Sequence, residues 1–256
     1  MKKEFLPIIS IVIPTYNHGR HLLRTINSVI TQESLKQSYD IEIIIVDDAS
    51  TDNTEEIIKR IIKKNKDIVI KYIKHENNLG IDAPVNTGIL RTIGHYICVL
   101  DADDTFTKNS LKLRLDAIKD NNYTYVVGSI LRVDKNNKQY IIKNADISSF
   151  KGILNFLKFH PEDEGLNHCT LFYKREIFEK VGLRIEKRNN GSTNNDYEIF
   201  LRLLTQIKGL NLSQPLYTYN FYNTSNLNTE GITDQQNRNR EILEKDYIKL
   251  FESLLH

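Results

Sequence analysis

Four apolar runs rich in isoleucine and valine, separated by segments of helical periodicity, constrain the fold of this chain more than any other feature of its sequence. The runs span residues 8–14, 41–48, 68–74 and 95–101. The first two are almost unbroken apolar stretches, typical of strands buried on both faces of a sheet. After the first run, Leu22, Ile26 and Val29 recur at helical spacing. Strands that alternate with helices predict βαβ units and a largely parallel sheet, an α/β fold.

The remaining elements are predicted from shorter patterns. Asp52 and Glu55 precede the apolar residues of the second helix and predict a capping box at its start. A hairpin, a short strand and a helix are predicted over residues 123–143, 169–173 and 196–204. The hairpin is expected to turn at Asn136 and Asn137, and the end of the chain is expected to form an amphipathic helix. We find neither an internal repeat nor a linker rich in Gly, Ser or Pro.

Composition and charge narrow the classes of function. A chain of 256 residues with 40% apolar residues can form one large α/β domain. Its formal net charge of +2 gives no reason to expect a nucleic-acid partner. Cys98 and Cys169 form neither a disulfide framework nor a metal-ligand spacing. With no apolar stretch of the ~20 residues that span a membrane, and an N-terminal apolar segment too short for a signal peptide, we expect a cytoplasmic protein.

Polar residues follow three of the predicted strands, where ligands of open α/β sheets bind. "PTYN" (residues 14–17), "VDDASTD" (residues 46–52) and "DADD" (residues 101–104) stand at these positions. Each motif alone has a simpler interpretation: "PTYN" as a turn, Asp52 as a helix cap, and Asp47 as an acceptor for loop amides. Because three strand ends carry such residues toward one edge, their convergence predicts a binding site.

The third of these motifs concentrates negative charge. Asp101, Asp103 and Asp104 lie within four positions at the end of a buried strand. Two unit charges ~5 Å apart repel each other by roughly 3 kcal/mol at an effective dielectric constant of about 20. Either water solvates these carboxylates in an ordinary loop, or a cation normally lies between them.

Taken together, the motifs resemble those of family 2 glycosyltransferases, which have the GT-A fold. The resemblance lies in the order and spacing of "ISIVIPTYN", "IEIIIVDDASTDNT", "NLGIDAPVNTGI" and "HYICVLDADD", and it continues through "LFYKREIFEKVGL" and "NDYEIFLRL". It implies a GT-A domain over residues 1–220, with a Rossmann-like, mostly parallel sheet. A nucleotide-binding half (about 1–105) would precede a more irregular acceptor-binding half (about 106–220), with a C-terminal helical extension over residues 221–256.

The resemblance also implies roles for the motif residues on the donor side. In that family the Asp-x-Asp motif holds Mg²⁺ or Mn²⁺, which bridges the diphosphate of a nucleotide sugar. Carried over, Asp103 and Asp104 would bind the metal, and Asp101 would face the ribose or the sugar. The other nucleotide-binding residues would be Pro14, Thr15, Tyr16, Asn17, Asp48, Asn78, Gly80 and Ala102. A carboxylate such as Asp48 can accept the N–H of uracil, thymine or guanine, so it does not choose among these bases.

On the acceptor side, the family has a Glu-Asp pair at the head of a helix, and its aspartate deprotonates the acceptor hydroxyl. Here the pair is Asn195 and Asp196, so the glutamate is replaced and the aspartate is kept. An ordinary Asp is a weak base at neutral pH, so catalysis by Asp196 needs either a raised pKa or proton transfer late in the step. The alternative is that Asp196 only caps the helix. The resemblance implies that His168 lies at the acceptor site. Alternatively, the side chain of His168 forms its hydrogen bonds within its own loop.

These expectations predict a metal-dependent, inverting glycosyltransferase that moves one sugar from a nucleotide sugar, most simply a UDP-sugar, to a hydroxyl of a glycan or lipid-linked acceptor. The chain has no tryptophan and hence no Gln-x-x-Arg-Trp motif, which the family's processive synthases carry, so we expect single-sugar transfer. Peripheral association with the cytoplasmic face of a membrane and oligomerisation stay open. Two alternatives remain: a haloacid-dehalogenase-like phosphatase that uses Asp101 and Asp103, and a non-catalytic module that binds sugar nucleotides.

Overall fold

A ten-stranded sheet forms the centre of the computed structural model, which describes residues 6–119, 121–159, 164–165, 167–184, 195–205, 209–220 and 234–253. The strands are β1 (Ile8–Thr15), β2 (Asp40–Asp47), β3 (Val69–Lys74), β4 (Tyr96–Val99), β5 (Thr105–Phe106), β6 (Tyr125–Val133), β7 (Gln139–Asn144), β8 (Glu164–Gly165), β9 (Phe172–Lys174) and β10 (Gly209–Asn220). Their order is β3-β2-β1-β4-β9-β6-β10-β5, with β7 beside β6 and β8 beside β7.

Helices cover both faces of the sheet. They are α1 (Gly19–Ile30), α2 (Thr54–Lys64), α3 (Asp82–Leu90), α4 (Ser110–Ile118), α5 (Phe150–Phe159), α6 (Ile177–Val181), α7 (Asn195–Leu204) and α8 (Asp234–Ser253), together with a 3₁₀ turn at His168–Thr170. Strands β1 to β4 pair in parallel. The predicted α/β fold with a mostly parallel sheet in its first half is therefore confirmed.

Two apolar layers, one on each face of the sheet, form the core. Ile11 and Ile13 of β1 point toward α1 and α2, whereas Val12 between them points toward α3. Alternate residues of this unbroken apolar run thus serve opposite faces, as expected for a doubly covered strand. Gly88 lets α3 approach β1 closely, because a Cβ atom at that position would lie 2.3 Å from Cγ1 of Val12.

The second half of the chain continues the sheet with mixed strand directions. Strand β9 runs antiparallel to both β4 and β6, and β10 runs parallel to β6 and antiparallel to β5. The predicted hairpin is confirmed as β6 and β7, with Asn137 in the left-handed conformation at φ 59°. Helix α8 packs on α5 through the buried ring of Phe251 and a 2.6 Å ion pair between Lys158 and Glu252. None of the helices described is long and apolar enough to cross a membrane.

The capping box expected at the second helix does not form. Helix α2 begins at Thr54, and Asp52 accepts the backbone N–H of Thr54 at 3.0 Å. The backbone N–H of Asp52, which a capping-box glutamate would accept, is instead 3.2 Å from Oδ1 of Asn17. Glu55 therefore turns outward and forms ion pairs with Lys59 and Lys74.

Two predicted strands are shorter than the apolar runs that suggested them. Strand β4 covers Tyr96–Val99 rather than residues 95–101, because the chain turns away after Leu100 donates its N–H to the carbonyl of Val12. Residues 169–173 are divided between the 3₁₀ turn and β9, since Thr170 bonds back to Asn167 through both its backbone N–H and its hydroxyl.

Candidate active site

The loops that follow β1 and β2 meet at one edge of the sheet, as the sequence predicts. The backbone N–H of Asp48 donates to the carbonyl of Thr15 at 2.9 Å. Asn17 joins the two loops from both of its ends: its backbone N–H donates to Oγ of Ser50 at 2.9 Å, and its Oδ1 accepts the N–H of Thr51 at 2.8 Å. The end of the "PTYN" motif and the "DASTD" segment therefore form one hydrogen-bonded surface.

Left-handed backbone conformations shape both loops. Asn17 has a φ of 57° and Ala49 a φ of 64°. Asn tolerates this region, whereas for Ala the left-handed conformation costs roughly 1–2 kcal/mol. Such strain persists where the surroundings fix the backbone, and it concentrates at functional sites.

Asp47, which ends β2, and Asp48, which follows it, are both buried but have different surroundings. Asp47 accepts the N–H of Ser50 and the hydroxyl of Tyr72, each at 2.8 Å, so it stabilises its own loop as the simpler interpretation allowed. The carboxylate of Asp48 is buried, and its Oδ1 lies 2.7 Å from Nδ1 of His75.

Asp48 also organises the "NNLG" turn. Its carboxylate accepts the backbone N–H groups of Leu79, at 3.0 Å, and Gly80, at 2.9 Å. Gly80 has a φ of 91°, and Oδ1 of Asn78 lies 3.1 Å from its backbone N–H. The structure thus brings together Asp48, Asn78 and Gly80, three of the predicted nucleotide-binding residues.

Two side chains of helix α1 donate hydrogen bonds to the backbone of the "DADD" loop. The hydroxyl of Thr25 donates to the carbonyl of Ala102 at 2.7 Å, and the guanidinium of Arg24 donates to the carbonyl of Asp103 at 2.5 Å. These bonds involve the backbone of the loop, so they fix its path without using its carboxylates.

Tyr217 of β10 connects two carboxylates of the loop. Its hydroxyl lies 3.0 Å from Oδ2 of Asp101 and 2.9 Å from Oδ2 of Asp104. Because a tyrosine hydroxyl carries one proton, it can donate to only one of these oxygens at a time. Burial, together with the nearby charge of Asp101, raises the pKa of Asp104 to about 8.

Asp104, which the resemblance assigns to the metal, is enclosed by β10, and its role as a metal ligand stays a prediction. Only 1% of Asp104 is exposed, and its second oxygen accepts the backbone N–H of Asn220 at 2.8 Å. Both oxygens are therefore engaged by β10. Asp101 and Asp103 are partly exposed. Of the predicted metal pair, Asp104 thus contacts β10 with both of its oxygens, whereas Asp103 is the more exposed carboxylate.

The donor atoms at this loop suit a hard cation. Carboxylate oxygens are the ligands that Mg²⁺ and Mn²⁺ prefer, and Mg²⁺ is typically held by one or two carboxylates plus substrate phosphates. Among the residues described in the structure, no group of three or more His, Cys, Asp and Glu side chains is arranged to hold a metal ion.

The predicted acceptor residues belong to helix α7 and to the 3₁₀ turn before β9. Helix α7 begins at Asn195 with Asp196 as its second residue, and the side chains of both lie outside the described part of the structure. His168 of the 3₁₀ turn lines a narrow cavity of about 20 Å³ together with Val99 of β4 and Ile199 of α7. Helix α7 therefore packs close to the strand that carries the "DADD" loop.

A wider concavity of about 340 Å³ lies away from these loops. It is lined by Ile30 at the end of α1, by Gln32 and Lys36 after that helix, and by Asn65 and Asp67 after α2, at the opposite edge of the sheet. Ligands of parallel sheets bind at the carboxyl ends of the strands, so we do not connect this concavity with the candidate site.

Sequence reasoning missed several residues that shape the site. They are Arg24, Thr25, His75, Tyr217 and Asn220. His75 follows the third apolar run directly, so the strand-end rule that found the other residues could have found it. Tyr217 and Asn220 come from a strand more than a hundred residues away, and no local pattern points to their partners.

Comparison with known proteins identifies the family. The sequence profile of glycosyl transferase family 2 matches residues 10–182. The chain belongs to this family. Membership of this family argues against the haloacid-dehalogenase-like alternative, in which the acidic motif normally follows the first strand, whereas here it follows the fourth.

Several curated family members are similar over parts of the chain. An uncharacterised glycosyltransferase of Haemophilus influenzae is 30% identical over 204 residues, which cover 79% of this chain and 74% of that protein. An uncharacterised glycosyltransferase of Rickettsia bellii is 34% identical over 144 residues, which cover 56% of this chain and 19% of that protein. Poly(ribitol-phosphate) beta-N-acetylglucosaminyltransferase TarP of Staphylococcus aureus is 37% identical over 121 residues, which cover 47% of this chain and 36% of that protein. The chain thus spans a minor part of the last two proteins.

Solved structures support the GT-A fold. Staphylococcus aureus TarS 1–349 in complex with UDP-GlcNAc superposes with a TM-score of 0.64 at 20% identity, covering 84% of this chain and 58% of that one. Mannosyltransferase PcManGT of Pyrobaculum calidifontis, in complex with GDP-Man and Mn²⁺, superposes with a TM-score of 0.61 at 15% identity, covering 87% and 59%. The predicted GT-A fold is confirmed.

Proposed function

We propose that this chain catalyses metal-dependent, inverting transfer of one sugar from a nucleotide sugar, a UDP-sugar in the first instance, to a hydroxyl of a glycan or lipid-linked acceptor. The observation that carries the proposal is the acidic loop after β4, in which Asp101 and Asp104 share the hydroxyl of Tyr217 while Asp103 lies beside them in the sequence. That much negative charge beside the "PTYN" and "VDD" loops suits a cation with a diphosphate.

The residues around Asp48 would hold the nucleotide base and ribose. Tyr16 is 39% exposed at the rim and offers an aromatic face for stacking. Each oxygen of the Asp48 carboxylate already faces two donors, from His75, Leu79 and Gly80, so a base N–H would share an acceptor position with one of them. TarS was solved with UDP-GlcNAc and PcManGT with GDP-Man, and TarS has the higher sequence identity and TM-score to this chain. We therefore propose uracil as the first base to test.

The carboxylates of the acidic loop would hold Mn²⁺ or Mg²⁺, with Asp103 as a ligand and Asp101 close to the ribose or the sugar. A bound divalent cation would stabilise the charge that develops on the departing diphosphate. The chain itself supplies the fixed geometry. Arg24 and Thr25 hold the loop backbone, and Tyr217 orients the carboxylates from behind.

Asp196 would act as the base that accepts the proton of the acceptor hydroxyl. A carboxylate in the first turn of a helix is stabilised in its ionised form, so we expect the proton to transfer late in the step, as the sugar bond forms. Attack from the side opposite the diphosphate would invert the configuration at the anomeric carbon. Asn195 and His168 would contribute to acceptor binding.

The metal assignment is tested by Asp103→Ala. We expect this variant to lose consumption of the donor even at saturating Mn²⁺, because the cation then loses the carboxylate that we assign as its ligand. The measurement is release of nucleoside diphosphate from a panel of nucleotide sugars. Asp116→Ala, on the outer face of α4, is the matched control and should keep wild-type turnover. Substantial residual turnover by the Asp103 variant would contradict the assignment.

The base assignment is tested by Asp196→Asn. We expect transfer to fall by ~10²-fold or more, while nucleotide affinity stays near the wild-type value because the donor loops are unchanged. If transfer survives, the base lies elsewhere. If the wild-type chain binds nucleotide but consumes no donor with any acceptor, it is a non-catalytic binding module.

A further inference from the structure

We infer that His75 is a positioning residue of the donor site, which fixes the Asp48 carboxylate and, through it, the turn at residues 78–80. This inference rests on the proposed function for its catalytic meaning, because that proposal makes Asp48 and the turn part of the nucleotide pocket. The contacts of His75 themselves are independent of it.

The position of His75 follows from the sheet. It comes directly after β3, and its backbone N–H donates to the carbonyl of Asp47 at 2.8 Å, which extends the pairing with β2 by one residue. The imidazole then lies between the loop after β2 and helix α3. Its Nδ1 is 2.7 Å from Oδ1 of Asp48, and its Nε2 is 3.0 Å from Oγ1 of Thr87.

One neutral tautomer satisfies both contacts. With a proton on Nδ1, the ring donates to the carboxylate of Asp48, and Nε2 accepts the hydroxyl proton of Thr87. The side chain of His75 is only 11% exposed. Both ring nitrogens are therefore engaged within the chain, and the ring connects the end of β2 rigidly to α3.

The turn has little packing of its own. Leu79 is 46% exposed and Ile81 is 57% exposed, although both are large and apolar. The backbone N–H groups of Leu79 and Gly80 instead bond to the carboxylate of Asp48. The conformation of the turn therefore depends on where that carboxylate is held, and His75 is the side chain that holds it.

The order carboxylate, imidazole and hydroxyl resembles a nucleophilic triad, but the fold argues against that use. Thr87 is the sixth residue of the nine-residue helix α3. Backbone N–H groups in the interior of a helix are bonded within it, so none is directed at a developing oxyanion beside Thr87. We therefore assign Thr87 to the support of His75.

Two near-isosteric variants separate the contacts of His75. In His75→Asn the amide nitrogen takes the place of Nδ1 and keeps the bond to Asp48, whereas in His75→Gln it takes the place of Nε2 and keeps only the contact with Thr87. We expect His75→Asn to bind UDP and Mn²⁺ within about 3-fold of wild type. We expect His75→Gln to bind roughly 10-fold more weakly, because a hydrogen bond to a buried charge is lost. For the donor, KM should rise while kcat changes little.

A second measurement tests how rigidly the turn at residues 78–80 is held, in the absence of nucleotide. Amide hydrogen exchange at Leu79 and Gly80 should be as slow in His75→Asn as in wild type and clearly faster in His75→Gln. Unchanged exchange and affinity in both variants would overturn the inference. Equal losses in both variants would also overturn it, since they would indicate a general packing role. If wild type binds no nucleotide, the proposed function fails, and the exchange measurement still decides whether His75 holds the turn.

Discussion

Among single residues, Tyr217 and Asp104 show most directly how burial and hydrogen bonding reduce the repulsion between the carboxylates of the acidic loop. Asp104 is buried behind the loop, where its oxygens contact the hydroxyl of Tyr217 and the backbone of Asn220. Without a cation nearby, burial and the charge of Asp101 favour the protonated form of Asp104. The native chain therefore binds a proton that the unfolded chain releases.

This arrangement predicts a pH-dependent stability for the metal-free protein. The pKa of Asp104 is raised in the folded state to about 8, so its contribution to stability is present at low pH and is lost as the pH rises toward 8. The free energy of unfolding should fall by up to ~1.4 kcal/mol per pH unit across this range. Urea unfolding in EDTA between pH 5 and 8 measures it.

Asp104→Asn should remove that slope. The amide oxygen can accept the N–H of Asn220, and the amide nitrogen can donate to the hydroxyl of Tyr217, which then donates to Asp101. Asp116→Asn is the control: its ion pairs with lysines lower the pKa of Asp116, so removing it should leave the slope unchanged. Parallel stability curves for wild type and Asp104→Asn would contradict this account of the buried acid.

Among the elements, the first three strands are joined by one buried carboxylate, at the edge of the sheet opposite the candidate site. Glu42 of β2 accepts the hydroxyl of Ser10 in β1 at 2.6 Å and the ammonium of Lys71 in β3 at 2.9 Å. It also accepts the backbone N–H groups of Ile93 and Gly94, which precede β4. This network ties four neighbouring strands together at the end away from the ligand loops.

Glu42→Gln should destabilise the chain by about 2–3 kcal/mol at pH 7. Burial alone would raise the pKa of Glu42, but the N–H of Ile93, the hydroxyl of Ser10 and the ammonium of Lys71 together lower it. Its contribution is therefore present above the ordinary pKa of a glutamate and is lost as the pH falls through the lowered value. The difference between wild type and variant should shrink below about pH 4.

Chemical denaturation of both proteins at pH 7 and in acid measures this difference. Glu56→Gln is the matched control on the outer face of α2, where the side chain is 71% exposed and pairs only weakly with Arg60. A loss in Glu42→Gln that stays constant into acid would show that shape, rather than charge, accounts for the effect.

The order of elements in the first half could be predicted from the sequence because it depends on local periodicity and on the right-handed βαβ rule. The ends of elements could not. The bond of the Asp52 amide to Asn17, which displaces the capping box, joins residues far apart in sequence. The same reason applies to the site. Asp48 and Asp101 could be predicted because they stand at strand ends, whereas Tyr217 reaches Asp101 only because β10 pairs with β5 and β6.

At the scale of the whole molecule, β10 joins the two halves of the domain. It lies between β6 and β5, and its residues Tyr217 and Asn220 brace the acidic loop that closes β4. Helix α7, which carries the predicted base Asp196, packs beside the end of the same strand. The acidic loop and the proposed acceptor helix α7 therefore both lie near the end of β4.

The central claim, that this cluster holds a cation together with a diphosphate, is tested most directly by calorimetric titration of UDP into the wild-type chain with Mn²⁺ and with EDTA. We predict that Mn²⁺ tightens nucleotide binding at least ~10-fold, because a divalent cation between carboxylates and phosphates turns repulsion into attraction. Asp103→Asn should abolish that gain. Equal UDP affinity with Mn²⁺ and with EDTA would contradict the account.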